Sequence, residues 1–149
     1  MEIREVMTGS VVTAGTDAPV RHVAEIMRER NVGSVVLLGA DGEAVGFITD
    51  RDLAVSVLAD GHGGDATASD HASSPVVTVA PGTDVEAATQ LMVSHGIRRL
   101  PVVDDGRLTG IVTLDDLAAR IGDPALAANI TAQVTRAALP TFYFHDRGG

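Results

Sequence analysis

The chain has 149 residues, 45% of them apolar and 3% aromatic, with no cysteine and a net charge of −9. That length suits one compact domain or two packed halves around an aliphatic core. Lack of cysteine excludes disulfides and thiolate metal sites, and the acid excess repels nucleic acid and anionic membranes through its overall field.

No apolar run reaches the roughly 20 residues that span a bilayer. The opening Met1-Glu2-Ile3-Arg4-Glu5 is charged and is not the apolar stretch of a secretion signal, so a cytoplasmic location is expected. Ser10-Val11-Val12-Thr13 reads as a short extended opening. A helix is predicted from about Ala18 to Arg30, with Val20, Val23, Ala24 and Met27 on one face and Asp17 as its N-cap. Two strands follow, Val32–Leu38 and Ala44–Ile48, joined by a turn at Asp41-Gly42; Asp-Gly between β-branched runs is a hairpin signal. Thr49 then opens a helix over Asp50 to Leu58. The stretch 61–74 is rich in Gly, Asp, Ser and Ala and reads as a linker.

The same order then returns. Pro75-Val76-Val77-Thr78-Val79 is a second extended opening, and a helix runs from about Thr83, its predicted cap, to His95, with Val85, Ala88, Leu91 and Met92 on one face. Strands over Leu100–Val103 and Leu108–Val112 flank Asp105-Gly106, and Thr113 opens a helix over Leu114 to Ile121. Asp123 and Pro124 start a further helix reaching about Ala138. Pro140 to His145 holds all but one of the Phe and Tyr residues, a cluster expected to pack on a body or a partner.

The two passes match in residues as well as order. Gly46-Phe47-Ile48-Thr49-Asp50-Arg51-Asp52-Leu53 returns 64 positions later as Gly110-Ile111-Val112-Thr113-Leu114-Asp115-Asp116-Leu117. Val11-Val12-Thr13 and Met27 return 65 positions later as Val76-Val77-Thr78 and Met92. A fixed period marks a duplicated β-α-β-β-α unit, hence an α/β fold. Both copies of Gly-x-x-Thr-x-x-Asp enter a helix from a strand. There a carboxylate can accept two hydrogen bonds at once, and helix N–H groups favour an anion.

With its doubled Gly46-x-x-Thr49-x-x-Asp52 and Gly110-x-x-Thr113-x-x-Asp116 and the segment Gly96-Ile97-Arg98-Arg99-Leu100-Pro101-Val102-Val103, the sequence resembles a tandem pair of CBS domains, the module named after cystathionine β-synthase. The resemblance implies CBS repeats at 3–60 and 75–121 in a pseudo-two-fold arrangement, a linker at 61–74, and a C-terminal helix and aromatic tail at 122–149. It implies an adenosine-type ligand, AMP, ADP, ATP or S-adenosylmethionine, in clefts between the repeats. The motif Asp then meets the ribose, the motif Thr the phosphate, and backbone near the opening Thr the adenine. Head-to-tail packing groups Thr13 with Thr113 and Asp116, and Thr78 with Thr49 and Asp52. Arg99, where repeat 1 has Ser34, is expected on phosphate, so repeat 2 is expected to carry the tighter site.

The expected function is therefore a regulatory, ligand-sensing homodimer acting by conformational change on a protein partner, and not an enzyme. The alternative is a dimeric scaffold or stress-response protein without a nucleotide site. His22, His62, His71, His95 and His145 include no pair at the i, i+4 spacing of a helical metal site, so no metal is expected.

Overall fold

The computed structural model describes residues 1–73 and 76–138; Pro75 and the aromatic cluster at 140–145 lie outside the described residues. Two compact units emerge, and neither is one repeat alone: unit 1 draws on 1–9, 78–102 and 110 onward, unit 2 on 10–77 and 103–109.

In unit 2, β1 (Thr13–Gly15) runs parallel to β2 (Ser34–Leu38), which pairs antiparallel with β3 (Ala44–Thr49). The middle strand buries Val35, Val36 and Leu37 in succession, whereas β3 buries alternate residues Gly46 and Ile48. Burial of successive residues means that both faces of β2 are covered, the condition under which a strand reads as a continuous apolar run. Helix α1 (Val20–Arg30) packs Val23 and Met27 into a core with Val35, Leu37, Ile48 and Ala68. Each such aliphatic side chain contributes about 1.5–3 kcal/mol by leaving water. Ala24, expected on that face, is exposed, and Ile26 packs against the core instead.

Asp17 does not cap α1. The helix begins at Val20 after an extended Pro19, because Ala18 is held outside it: Ala18 N–H donates to Gly15 O, and Ala18 O accepts from Ala68. The first two helical amides are instead satisfied by backbone, Val20 by Ala66 O at 2.8 Å and Arg21 by Gly64 O at 3.0 Å. The Ala-, Asp- and Ser-rich stretch 64–73 thus lies along unit 2 as a strap. It carries a 3₁₀ turn (Ala68–Asp70), buries Ala68 completely, and ends on a bridge between Ser73 and Phe47.

The helix predicted over Asp50 to Leu58 changes character on the way. Helix α2 (Asp50–Asp52) widens into a π-helical turn (Leu53–Leu58), marked by Ala59 N–H donating to Ala54 O. That turn buries Val57 and leaves Val55 and Leu58 exposed.

In unit 1 the strap is the first nine residues. A 3₁₀ turn (Ile3–Glu5) precedes an antiparallel bridge between Thr8 and Ile111, with both bonds at 2.9 Å. Helix α3 (Val85–His95) is capped by Asp84, whose carboxylate accepts from Glu86 N–H, while Met1 O accepts from Val85. Thr83 is not the cap because its carbonyl is taken by Ile3 N–H. Val85, Ala88 and Met92 are buried as expected, with Leu91 half-buried. Helix α3 ends on Gly96 at φ 61°, the left-handed conformation that closes helices.

Strands β4 (Arg99–Asp104) and β5 (Arg107–Thr113) form the second hairpin. Asp105 and Gly106 both have positive φ, 48° and 77°, as a two-residue type I′ turn requires. The opening over 76–79 is not a strand: Val79 makes one parallel bridge to Val102. Pro101 explains the loss. In unit 2, Val36 N–H donates to Val12 O; Pro101, 65 positions later, carries no N–H to repeat that bond. Helix α4 (Leu114–Arg120) buries Leu114 and Leu117. Helix α5 (Pro124–Ala138) packs on α3 and α4 through Ile130 and Val134, and the Asp123 carboxylate accepts from Ala125 and Leu126 N–H.

Candidate functional site

Both Gly-x-x-Thr-x-x-Asp motifs fold into the same local device. Thr113 is extended (φ −115°, ψ 163°) and caps α4, its hydroxyl accepting from Asp116 N–H at 3.1 Å. The Asp116 carboxylate reaches back through Oδ2 to Thr113 N–H at 2.9 Å and Thr113 Oγ1 at 3.0 Å. Thr49 and Asp52 repeat this capping box at α2: Asp52 N–H donates to Thr49 Oγ1 at 3.2 Å and Thr49 N–H to Asp52 Oδ2 at 2.8 Å. Reciprocal bonding satisfies two helix-end donors at once, which is a local reason for Thr and Asp three residues apart.

The structure therefore brings Thr49 to Asp52 and Thr113 to Asp116. Of the remaining site candidates, Thr13 opens β1 in unit 2, and Thr78 and Arg99 belong to unit 1. Arg99 starts β4 directly after Arg98, whose carbonyl accepts from Leu114 N–H, the first amide of α4, at 2.9 Å. Gly33 O performs that task for Asp50 N–H in unit 2, at 3.0 Å. At α2 the second amide is also engaged, Arg51 N–H donating to Asp50 Oδ1.

Around Asp116 the structure adds two residues, Thr8 with no local signal in the sequence and Arg120 at the i,i+4 spacing of a helical ion pair. Thr8 Oγ1 donates to Asp116 Oδ1 at 3.4 Å, and the Arg120 guanidinium lies 3.7 Å from the same oxygen. Asp116 is 14% exposed. Arg120 also donates to the carbonyls of Val6 and Met7 at 3.1 and 3.0 Å, pinning the strap to α4. The 65-residue period carried upstream to Met1 is the signal that pairs this strap with 66–73.

The motif glycine has its own cause. A Cβ on Gly110 would come within 2.9 Å of Thr8 O and 2.8 Å of Met7 Sδ, so only Gly lets the strap lie against β5. A Cβ on Gly46 would meet only side chains, Leu37 Cδ1 at 3.2 Å and Ala72 Cβ at 3.4 Å among them.

Two open grooves of about 330 and 310 Å³ lie in unit 1, one beside Gln90, Asn129 and Gln133, the other beside Met1, Asp84 and Asp123. Neither is lined by Thr78, Arg99, Thr113 or Asp116. Among the described residues no group of three or more His, Cys, Asp or Glu is placed to hold a metal ion, and no helix is long and apolar enough to cross a membrane.

Comparison with known proteins fits this architecture. The CBS domain family model matches residues 3–59 and 68–123, starts that are again 65 apart. The CBS domain-containing protein YhcV of Bacillus subtilis is 38% identical over 116 residues, 78% of this chain and 82% of its own length. A CBS domain protein of Pyrobaculum aerophilum complexed with AMP superposes with a TM-score of 0.76 at 27% identity, covering 89% of this chain and 99% of that one. Hypoxic Response Protein I, solved with two coordinated zinc ions, superposes with a TM-score of 0.74 at 32% identity, covering 79% and 97%. With two repeats of one β-hairpin-and-helix plan, two matching capping boxes and a family model spanning most of its length, this chain belongs to the CBS domain family.

Proposed function

We propose that the chain is a regulatory module that binds an adenine nucleotide or adenosyl compound, with AMP, ADP, ATP and S-adenosylmethionine as the candidates. The observation carrying this reading is the motif device in unit 1. A helix start, the Asp116 carboxylate and the Thr113 hydroxyl sit together, with Arg99 beginning the strand bonded to that helix. An adenosine ligand presents a diol and, in the nucleotides, a phosphate. A carboxylate has about four acceptor positions, so after the three hydrogen bonds from Thr8 and Thr113 Asp116 retains one for the diol or exchanges the 3.4 Å Thr8 bond for it, and a guanidinium and helix amides suit the phosphate. The AMP complex of the Pyrobaculum relative supports this ligand class. Thr13 and Thr78 are proposed as backbone partners of adenine, and Thr49 with Asp52 as the weaker counterpart in unit 2. The working assembly is a homodimer that changes the surface shown to a protein partner, with no catalytic step of its own.

One observation favours a scaffold instead. Both oxygens of Asp116 already have protein partners, so the motif is satisfied without a ligand. Thermal melts with AMP, ADP, ATP and S-adenosylmethionine, each followed by calorimetric titration, separate the two. A ligand at a hundred times its dissociation constant adds about 2.7 kcal/mol of stability. The sensor reading expects one ligand to raise the midpoint, the rise being lost in Asp116→Ala and kept in Asp52→Ala. No shift with any of the four establishes the scaffold reading.

A further inference from the structure

Nine positions separate His62 from His71, a spacing with no meaning on a helix, yet the fold of unit 2 places their rings edge to face with centroids 4.9 Å apart. Three elements converge there. His62 follows the π-helical turn, its N–H donating to Val57 O at 2.9 Å. His71 closes the 3₁₀ turn of the strap, its N–H donating to Ala68 O. Ser56, inside the π-helical turn, places Oγ 2.8 Å from His71 Nδ1. Single π-helical turns recur at functional sites because the extra residue re-aims side chains.

We propose that His62 and His71 form a two-imidazole site for a borderline divalent transition ion, Zn²⁺ foremost, with water completing the coordination. The spacing suits it: with metal–nitrogen bonds of about 2.0–2.1 Å, two imidazoles on one tetrahedral ion have ring centres about 5 Å apart. The hydrogen bond suits it as well. When His71 Nδ1–H donates to Ser56 Oγ, Nε2 is left unprotonated, the form a metal takes, and the ring is held in place. Metal-bound histidines commonly anchor their second nitrogen in this way. The net charge of −9 favours any cation at this surface. The site belongs to unit 2 alone, since Arg120 of unit 1 stands where Ser56 stands in the repeat and carries the strap contact itself. A bound ion ties the exit of the π-helical turn to the strap that buries Ala68 in the core.

The test titrates Zn²⁺ into the full-length, tag-free protein by calorimetry while following imidazole nitrogens by NMR. The expected result is one saturable ion, with the His62 and His71 resonances moving and those of His22 and His95 still. His62→Gln, at an exposed position that leaves the core untouched, should weaken binding roughly tenfold or more, as should His71→Gln. Ser56→Ala should weaken it less, by freeing the ring. Equal affinity in His62→Gln and wild type overturns the proposal, as do unmoved His62 and His71 resonances at saturating zinc, or no binding at millimolar zinc.

Discussion

Units 1 and 2 start a helix with the same capping box and then hold the strap against that helix by different chemistry. In unit 1, Arg120 donates to two strap carbonyls and lies beside Asp116, which also accepts from Thr8. In unit 2 the counterpart holds no guanidinium and is a Ser56–His71 hydrogen bond with His62 packed on the ring. The box answers a backbone need that every such helix start has, so both copies keep it. The strap junction answers no such need, and there the copies have diverged into a charged clamp and an imidazole pair.

Three pairs of substitutions and one single change sharpen this contrast by chemical denaturation. Leu117→Ala should cost the most, about 2–5 kcal/mol, because Leu117 is wholly buried. Its counterpart Leu53 is half-buried, and Leu53→Ala should cost less. Gly110→Ala should follow at about 1–3 kcal/mol, since its Cβ meets the Thr8 carbonyl of the strap. Gly46→Ala, whose Cβ would come no closer than 3.2 Å to its nearest neighbour, should cost less, and equal losses would remove the strap as the reason for the motif glycine. Thr113→Ala and Thr49→Ala should each cost about 1 kcal/mol, the usual worth of an N-cap. A large gap between them would mean that the two boxes are not equivalent. Arg120→Ala should be smallest, about 0.5–1 kcal/mol for bonds made by a half-exposed group. It should also raise amide exchange at Thr8 and Ile111 while leaving Phe47 and Ser73 unchanged.

Much of this was legible from pattern. Helix faces follow from the 3.6 spacing of Val20, Val23 and Met27 and of Val85, Ala88 and Met92, hairpins from Asp-Gly, and helix entries from Thr49 and Thr113. The caps of α1 and α3 were not. A backbone carbonyl from a distant segment leaves no trace in side-chain identity, so Asp17 looked like the cap of α1 while Ala66 and Gly64 made the contacts; at α3 the cap is the neighbouring Asp84, because Ile3 N–H takes the Thr83 carbonyl and moves the helix start by one residue. The strap at 64–73 carries small residues without periodicity, and its order comes from main-chain bonds that composition cannot reveal. Pro101 removes a strand that Val76, Val77 and Thr78 otherwise specify, because strand formation needs a donor on the partner. At the candidate site, Thr113 and Asp116 announce each other at a spacing of three. Thr8 and Asp116 are 108 positions apart, and nothing in either neighbourhood foretells the other.

The split of the straps also sets an order of events on the ribosome. Residues 10–73 carry the sheet, helix and strap of unit 2 and can gather as they emerge. The first nine residues find their pairing strand only when Ile111 has been made. At about 5–20 residues per second they wait several seconds, unpaired, with Ile3 and Val6 still to be buried. A bulky group fused ahead of Met1 would therefore act at a distance, slowing maturation of the last half of the protein while the half beside it forms on time.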